Sequence, residues 1–217
     1  MKLLAFAGSA RQESFNLKLL NVAVELIRAK GVEVNVFDFG KYPLPLYDGD
    51  LEQQEGMPAN AKRFKAALVE HDGFIIASPE YNSAYSPLLK NAIDWASRAE
   101  SADEPPLYAF NGKTAALIAA SPGGLGGLRG LAVLRMLLSN IRVNVTTTQI
   151  AVPKAHEAFD ADGQLEDSGT LDNLENLATE FIEFTQRLQT TYLASLKDFL
   201  HRRFPRISIH GTHQKAP

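Results

Sequence analysis

Three short segments carry the residue types from which a ligand site could be built. The first, Gly8-Ser9-Ala10-Arg11-Gln12-Glu13-Ser14-Phe15-Asn16, offers hydroxyls at Ser9 and Ser14, a guanidinium at Arg11 and an amide at Asn16. It leads into residues with helical spacing, and a helix starting there would present unpaired N–H groups and a favourable dipole to an anion. Two readings stand on composition: a phosphate cradle, or an ordinary strand-to-helix turn with Ser14 as the cap. The segment lacks the Gly-Lys-Ser/Thr ending of a nucleoside-triphosphate loop. It also has one glycine, Gly8, where a dinucleotide fingerprint needs three, so the remaining common tenant is a monophosphate.

The second segment, Pro79-Glu80-Tyr81-Asn82-Ser83, combines amides with an aromatic ring and suits edge recognition and stacking of a flat heterocycle. The third, Ser121-Pro122-Gly123-Gly124-Leu125-Gly126-Gly127, has four glycines in seven residues, which let a backbone approach a planar ligand closely. No acid–base residue and no metal ligand is nominated: Glu80 and the histidines are not catalytic candidates, and His210-Gly211-Thr212-His213 has no helical frame. Phe159 to Leu165 resembles part of a calcium loop but lacks the third carboxylate before the glycine and the distal glutamate, and reads as a turn on Asp162-Gly163. Trp95 reads as helix core or subunit interface. Lys90 and Asp94, spaced i and i+4, read as a solvated pair.

The elements that must position these segments alternate. Lys2 to Ala7 is a short apolar run ended by Gly8, and Leu17, Leu20, Ala23, Val24 and Ile27 recur at helical spacing. Strands follow at Val32–Phe39, Gly73–Ala77, Lys113–Ala120 and within Arg142–Val152, with helices at Ala59–Val69, Leu88–Ala99 and Leu128–Leu138. Five such strands imply right-handed crossovers and an α/β fold, its parallel sheet covered by helices on both faces. Ligands bind such sheets outside the carboxyl ends of the strands, where all three segments fall. Gly40 to Pro58 is longer than a crossover turn needs and reads as a lid, an interface or a surface excursion.

Composition narrows the function. The 217 residues carry 22 basic and 25 acidic side chains, a net charge of −3, which gives no global signature of a nucleic-acid or membrane-surface binder. There is no cysteine, so disulfides, thiolate nucleophiles and iron–sulfur clusters are excluded, and redox chemistry would need a bound cofactor. The apolar run Leu3 to Ala7 is too short for a signal core, and no run is long enough to span a membrane; a cytoplasmic location is expected.

At these residues the sequence resembles the NADPH-dependent FMN reductase family, which includes quinone-, azo- and chromate-reducing members. The likeness is carried by Gly8, Ser9, Arg11, Ser14 and Asn16, by PEYNSAYSPLLKNAIDW from Pro79 to Trp95, by SPGGLGGLRG, and by Pro45-Leu46-Tyr47-Asp48. Family members place proline one position earlier than Pro87, which leaves open how the backbone enters the helix at Ser86. The resemblance implies a flavodoxin-like sheet of order 2-1-3-4-5, FMN as cofactor, NADPH or NADH as electron donor and a small-molecule acceptor. It further implies that Ser9, Arg11, Ser14 and Asn16 hold the FMN phosphate. Pro79, Glu80, Tyr81, Asn82 and Ser83, with Ser121, Gly123, Gly124 and Gly126, would then flank the ring. A one-electron carrier of flavodoxin type would show a strongly acidic face and a phosphate loop without arginine; the charge of −3 and Arg11 favour the enzyme. A flavin-binding module without activity is the third reading.

The resemblance ends near residue 190. The expected organisation is a flavodoxin-like domain over 1–190 and a helical extension with a basic tail over 191–217. Apolar residues from Leu171 through Phe199 recur every three or four positions, a helix of roughly 45 Å. A stripe of Tyr192, Leu193, Leu196, Phe199 and Leu200 beyond the sheet would need cover. A homodimer or homotetramer is therefore expected, with Arg202, Arg203 or Arg206 reaching a neighbour's cofactor entrance; the alternative is a helix that turns back after Gln189 to cover its own domain, followed by a disordered basic tail.

The sequence generates one direct prediction: the purified protein carries one FMN per chain. Its visible spectrum and chromatography of the released flavin check this, and recovery of FAD alone would overturn the monophosphate argument.

Overall fold

Strands that are apolar on both sides need helices on both sides, and the chain supplies them by alternation. The computed structural model describes residues 1–203, with side chains through residue 191. In chain order the elements are β1 (Lys2–Ala7), α1 (Phe15–Ala29), β2 (Glu33–Phe37), α2 (Gly49–Glu55), α3 (Ala59–Glu70), β3 (Gly73–Ala77) and α4 (Pro87–Ala96). They continue with β4 (Thr114–Ala120), α5 (Leu128–Asn140), β5 (Asn144–Val152) and α6 (Ser168–Arg203). The five strands form one parallel sheet of order β2-β1-β3-β4-β5, the flavodoxin-like order.

The pleat divides the core. Leu3, Ala5 and Ala7 pack with Leu19, Leu20, Ala23 and Ile27 of α1 and with Leu174, Leu177 and Phe181 of α6. Leu4 and Phe6 point the other way, into a layer made with α3, α4 and α5. That layer is aromatic: Phe6 meets Phe64 edge-on at 5.3 Å, and Phe37 and Phe39 close on Phe64 at 4.9 Å each. Gly73 is required where α6 crosses β3, since a Cβ there would lie 2.2 Å from the Thr114 hydroxyl and 3.1 Å from the Phe181 ring.

One segment departs from the sequence expectation. The Gly40–Pro58 segment contains the short helix α2, whose N-cap Asp48 accepts hydrogen bonds from the Asp50 and Leu51 amides. None of its residues is buried, so it has no apolar period to read. The segment is also fastened to α4. Pro45 O accepts from Trp95 Nε1 at 2.9 Å and Asn91 Nδ2 at 2.8 Å, while the Tyr47 amide donates to Asn91 Oδ1 at 2.7 Å. Trp95 is thus a fully buried anchor.

The last helix runs unbroken through residue 190. It passes the amino edge of the sheet at Thr185, which hydrogen-bonds Thr114 at the start of β4, and continues to Arg203, about 27 Å further. The side chains of the stripe from Tyr192 to Leu200 and of Arg202 and Arg203 are not among those described, and Arg206 lies outside the described residues.

Candidate functional site

Parallel pairing of β1, β3 and β4 brings their carboxyl ends side by side, and the three chemistry-bearing loops leave from those ends. Each is tied to another. Gly8 has no room for a side chain: a Cβ would sit 2.9 Å from Ser86 Oγ, 3.1 Å from Leu89 Cβ and 3.3 Å from Pro79 Cδ. Ser86 Oγ donates to Gly8 O at 2.6 Å and accepts from the Leu89 amide at 3.2 Å. That settles the entry to α4: Ser86 is an extended N-cap and Pro87 the first helical residue, where its missing N–H is harmless.

The first loop holds groups of the kind an anion site uses. Ser14 occupies the N-cap position of α1 with extended backbone, yet its side chain makes no capping hydrogen bond, although the residue is only 3% exposed. Among the described residues nothing accepts from the Phe15, Asn16 or Leu17 amides, the usual orphans of a helix start. Both readings of the sequence therefore meet here: Ser14 stands where a cap stands, without capping. Ser9 Oγ accepts from the Arg11 amide at 3.3 Å. The Arg11 guanidinium donates to Glu13 O at 2.7 Å and lies 5.7 Å over the Phe15 ring, which stacks on Phe159. A hydroxyl, a held guanidinium and uncapped helix N–H groups fit a phosphate.

Asn16 does something else with its side chain. Its Nδ2 donates to Ala120 O at 2.9 Å and its Oδ1 accepts from the Ala120 amide at 3.0 Å, so both amide ends are spent on the last residue of β4. What it offers an anion is its backbone N–H.

The second loop is a two-residue turn. Tyr81 and Ala84 exchange both backbone hydrogen bonds, at 2.8 and 3.1 Å, across Asn82 (φ 51°) and Ser83 (φ 68°). Two successive left-handed residues make a type I′ turn, which asparagine accepts and serine less readily. The turn holds Tyr81 outward, exposed. Glu80 faces away from it: Oε2 accepts from the Gly130 amide at 3.1 Å, and Oε1 accepts from Arg129 Nε at 2.8 Å. Burial alone would raise the Glu80 carboxyl, but the Gly130 amide and the Arg129 guanidinium outweigh it and hold it below the ordinary glutamate value.

The glycines of the third loop separate into two kinds. At Gly126 (φ 63°) a Cβ would lie 2.6 Å from Val152 C, and at Gly127 (φ 98°) 2.7 Å from Ala119 Cβ; both are demanded by the fold. At Gly124 a Cβ meets nothing within 4 Å, and at Gly123 only Ser121 Oγ at 3.8 Å. The protein itself therefore has no need for glycine at 123 and 124, and the open space there suits a flat ligand. Ser121 Oγ accepts from the Gly123 amide at 3.3 Å and shapes the turn.

Reading by residue type gave no role to Ser86, Arg129 or Gly130. Only Ser86-Pro87 carried a signal, the pairing of a cap residue with proline at the first helical position. Cavities of about 580 and 590 Å³ open instead at the amino ends of the strands, lined among others by Asp72, Asn111, Lys113 and Asn144. There Lys113 Nζ is already committed to the carbonyls of Val69 and His71. The carboxyl-end loops carry the uncapped start of α1 and the open positions 123 and 124, the features that fit a ligand at that end of a parallel sheet.

The pattern of the NADPH-dependent FMN reductase family matches residues 1–157. The chain is 34% identical to an NAD(P)H-dependent FMN reductase of Pseudomonas aeruginosa, covering 89% of this chain and 94% of that one. It is 34% identical to an NADPH:quinone oxidoreductase of Arabidopsis thaliana, over 87% of this chain and 94% of the relative. Among solved structures it is similar to the flavoenzyme NAD(P)H:(acceptor) oxidoreductase of Paracoccus denitrificans, with TM-score 0.73, 29% identity, 86% of this chain and 97% of that chain covered.

The split among the glycines is measurable. Gly126→Ala is expected to cost at least about 2 kcal/mol in urea denaturation, from the left-handed φ and the backbone collision. Gly124→Leu is expected to leave stability within about 0.5 kcal/mol while weakening FMN binding several-fold. Gly124→Leu with wild-type FMN affinity would remove Gly124 from the ring site.

Proposed function

The chain belongs to the NADPH-dependent FMN reductase family, and from that premise we propose that it transfers two electrons, as hydride, from NAD(P)H through bound FMN to a small quinone-like acceptor. It is an FMN-dependent NAD(P)H oxidoreductase. The observation that carries the reading is Ser14, a buried N-cap serine that leaves the first turn of α1 uncapped. That arrangement supports binding of the FMN phosphate by Ser14 Oγ, Ser9, Arg11 and the α1 backbone amides, with Asn16 contributing its N–H. Tyr81, Asn82 and Ser83 on one side and Ser121 with Gly123 and Gly124 on the other would bound the ring, and Pro79 and Gly126 shape those two walls.

Bound FMN supplies a ring that takes up hydride and gives two electrons on, so that NAD(P)H, a proton and a quinone become NAD(P)⁺ and a hydroquinone. The chain's part is to hold and orient; no acid–base side chain is assigned. Tyr81, Leu125 and Leu128 are exposed around the second and third loops. Their apolar surface supports stacking of flat donors and acceptors in turn over one face. Free flavins, azo compounds and chromate are further acceptors such an open face admits.

One shared face means that donor and acceptor exclude each other. Initial-rate plots for NADPH and a benzoquinone are expected to be parallel, the ping-pong pattern; intersecting lines with product inhibition of a ternary complex would reject the shared face.

The stretch of α6 beyond the sheet supports an assembly of copies, homodimer or homotetramer, in which that stretch packs on a neighbour. No helix among the described residues is long and apolar enough to cross a membrane. Truncation at Thr190 is expected to dissociate the assembly by light scattering; an unchanged mass with unchanged kinetics would reject the arm.

A further inference from the structure

Helix α5 begins without a cap of its own. Its N-cap residue is Gly127, left-handed and without a side chain to accept a first-turn amide. The acceptor comes from another loop, since Glu80 Oε2 takes the Gly130 N–H at 3.1 Å. Its other oxygen takes Arg129, with Nε at 2.8 Å and Nη2 at 2.6 Å, so both carboxylate oxygens are engaged. The Glu80 side chain is 8% exposed, against 60% for Arg129. The backbones are in contact as well: a Cβ at Gly130 would lie 3.1 Å from Ala84 O and 3.3 Å from Glu80 Cα. Among the described residues Glu80 makes the only side-chain link between the 79–84 turn and the start of α5.

We propose that Glu80 is a positioning residue which sets the gap between the Tyr81–Ser83 turn and the glycine loop, and so governs how the flavin ring, rather than its phosphate, is held. The proposal rests on the FMN reading above. Because both oxygens are turned into α5, Glu80 acts on the ring through the two loops it joins and not by touching it. The charge matters beyond the hydrogen-bond count. A carboxylate at a helix start opposes the positive end of the helix dipole and pairs with a guanidinium, and a neutral amide does neither equally. The carboxyl is held below its ordinary value, so the clasp is closed at neutral pH and its contribution is lost only as pH falls through that lowered range. Without it the Gly130 amide and Arg129 lose their shared partner, and the turn carrying Tyr81 loses its tie to the opposite wall.

The test separates ring from phosphate by comparing FMN with riboflavin, which has the ring alone. Wild type, Glu80→Gln and Arg11→Ala are equilibrated with each flavin, dissociation constants are measured, and visible circular dichroism of the bound flavin is recorded. Glu80→Gln is expected to weaken FMN and riboflavin by the same factor, about tenfold, and to alter the visible dichroism. Arg11→Ala is expected to weaken FMN by a similar factor and leave riboflavin unchanged. A Glu80→Gln protein with wild-type constants and dichroism, or one weakened for FMN alone, overturns the positioning role. Should Glu80→Gln not fold, Arg129→Gln decides, because it removes the ion pair and spares the Gly130 cap. A weaker riboflavin complex then supports the role, and an unchanged one overturns it. A wild type that binds neither flavin overturns the cofactor reading and the proposal with it, an outcome distinct from a flavin-binding wild type beside an indifferent Glu80→Gln.

Discussion

The amide of Asn16 closes on both backbone groups of Ala120, and the candidate site depends on that closure. Ala120 ends β4, so its N–H and C=O stand at the frayed edge of the sheet, where ladder partners run out. Left buried and unpaired, each would cost about 1–3 kcal/mol. A single side chain from the first turn of α1 satisfies both, and in doing so fixes the first loop against the root of the glycine loop. Ser86 fixes the first loop to the start of α4 through Gly8 O, and Glu80 fixes the second loop to the start of α5. Three side chains thus join three loops pairwise: Asn16 and Ser86 spend their polar atoms on backbone, and Glu80 divides its two oxygens between the Gly130 amide and the Arg129 guanidinium.

This closure is possible because the sheet beneath it is narrow where the loops converge. Ala7, Ala77, Ala119 and Ala120 are all buried at the carboxyl ends of β1, β3 and β4. Small side chains there let α1 and α4 approach the sheet, and the bulk that fills the core sits elsewhere, in the phenylalanine layer under α3. Aromatic pairs at 4.9 to 5.3 Å give that layer directional packing in addition to its area. The helices are therefore braced at a distance from the site, and their amino ends are left to be finished by loop chemistry.

Element order and the three loops were legible because both depend on local signals: apolar runs of strand length, helical spacing and clusters of small residues. Gly73–Ala77 begins and ends in the structure where the apolar run does. What the side chains do was legible only in part, for a physical reason. Asn16 beside Ser14 has the look of a ligand, because its true partner, Ala120, is 104 residues away. Glu80 beside Tyr81 has the look of a ring contact, because Gly130 lies 50 residues further on. The four glycines of one loop are alike in sequence, and only their collisions with Val152 and Ala119 divide them. Helix α2 carried a readable start in Asp48 with Glu52 after it, but no buried face to confirm it.

The residues that hold the loops and the residues left free to meet a ligand are consequently different sets. Asn16, Ser86 and the Glu80 carboxylate are buried, saturated and turned into the protein. Tyr81, Asn82, Ser83, Gly123 and Gly124 are exposed, and the last two meet almost no protein atoms. A site built this way orders its loops before the ligand arrives, so little binding energy is lost in ordering them. It also leaves the outer wall free to vary in side chain without disturbing the fold. Changes at Gly124 and Tyr81 therefore alter the outer wall alone, whereas changes at Asn16 and Ser86 act first on the position of the backbone beneath it.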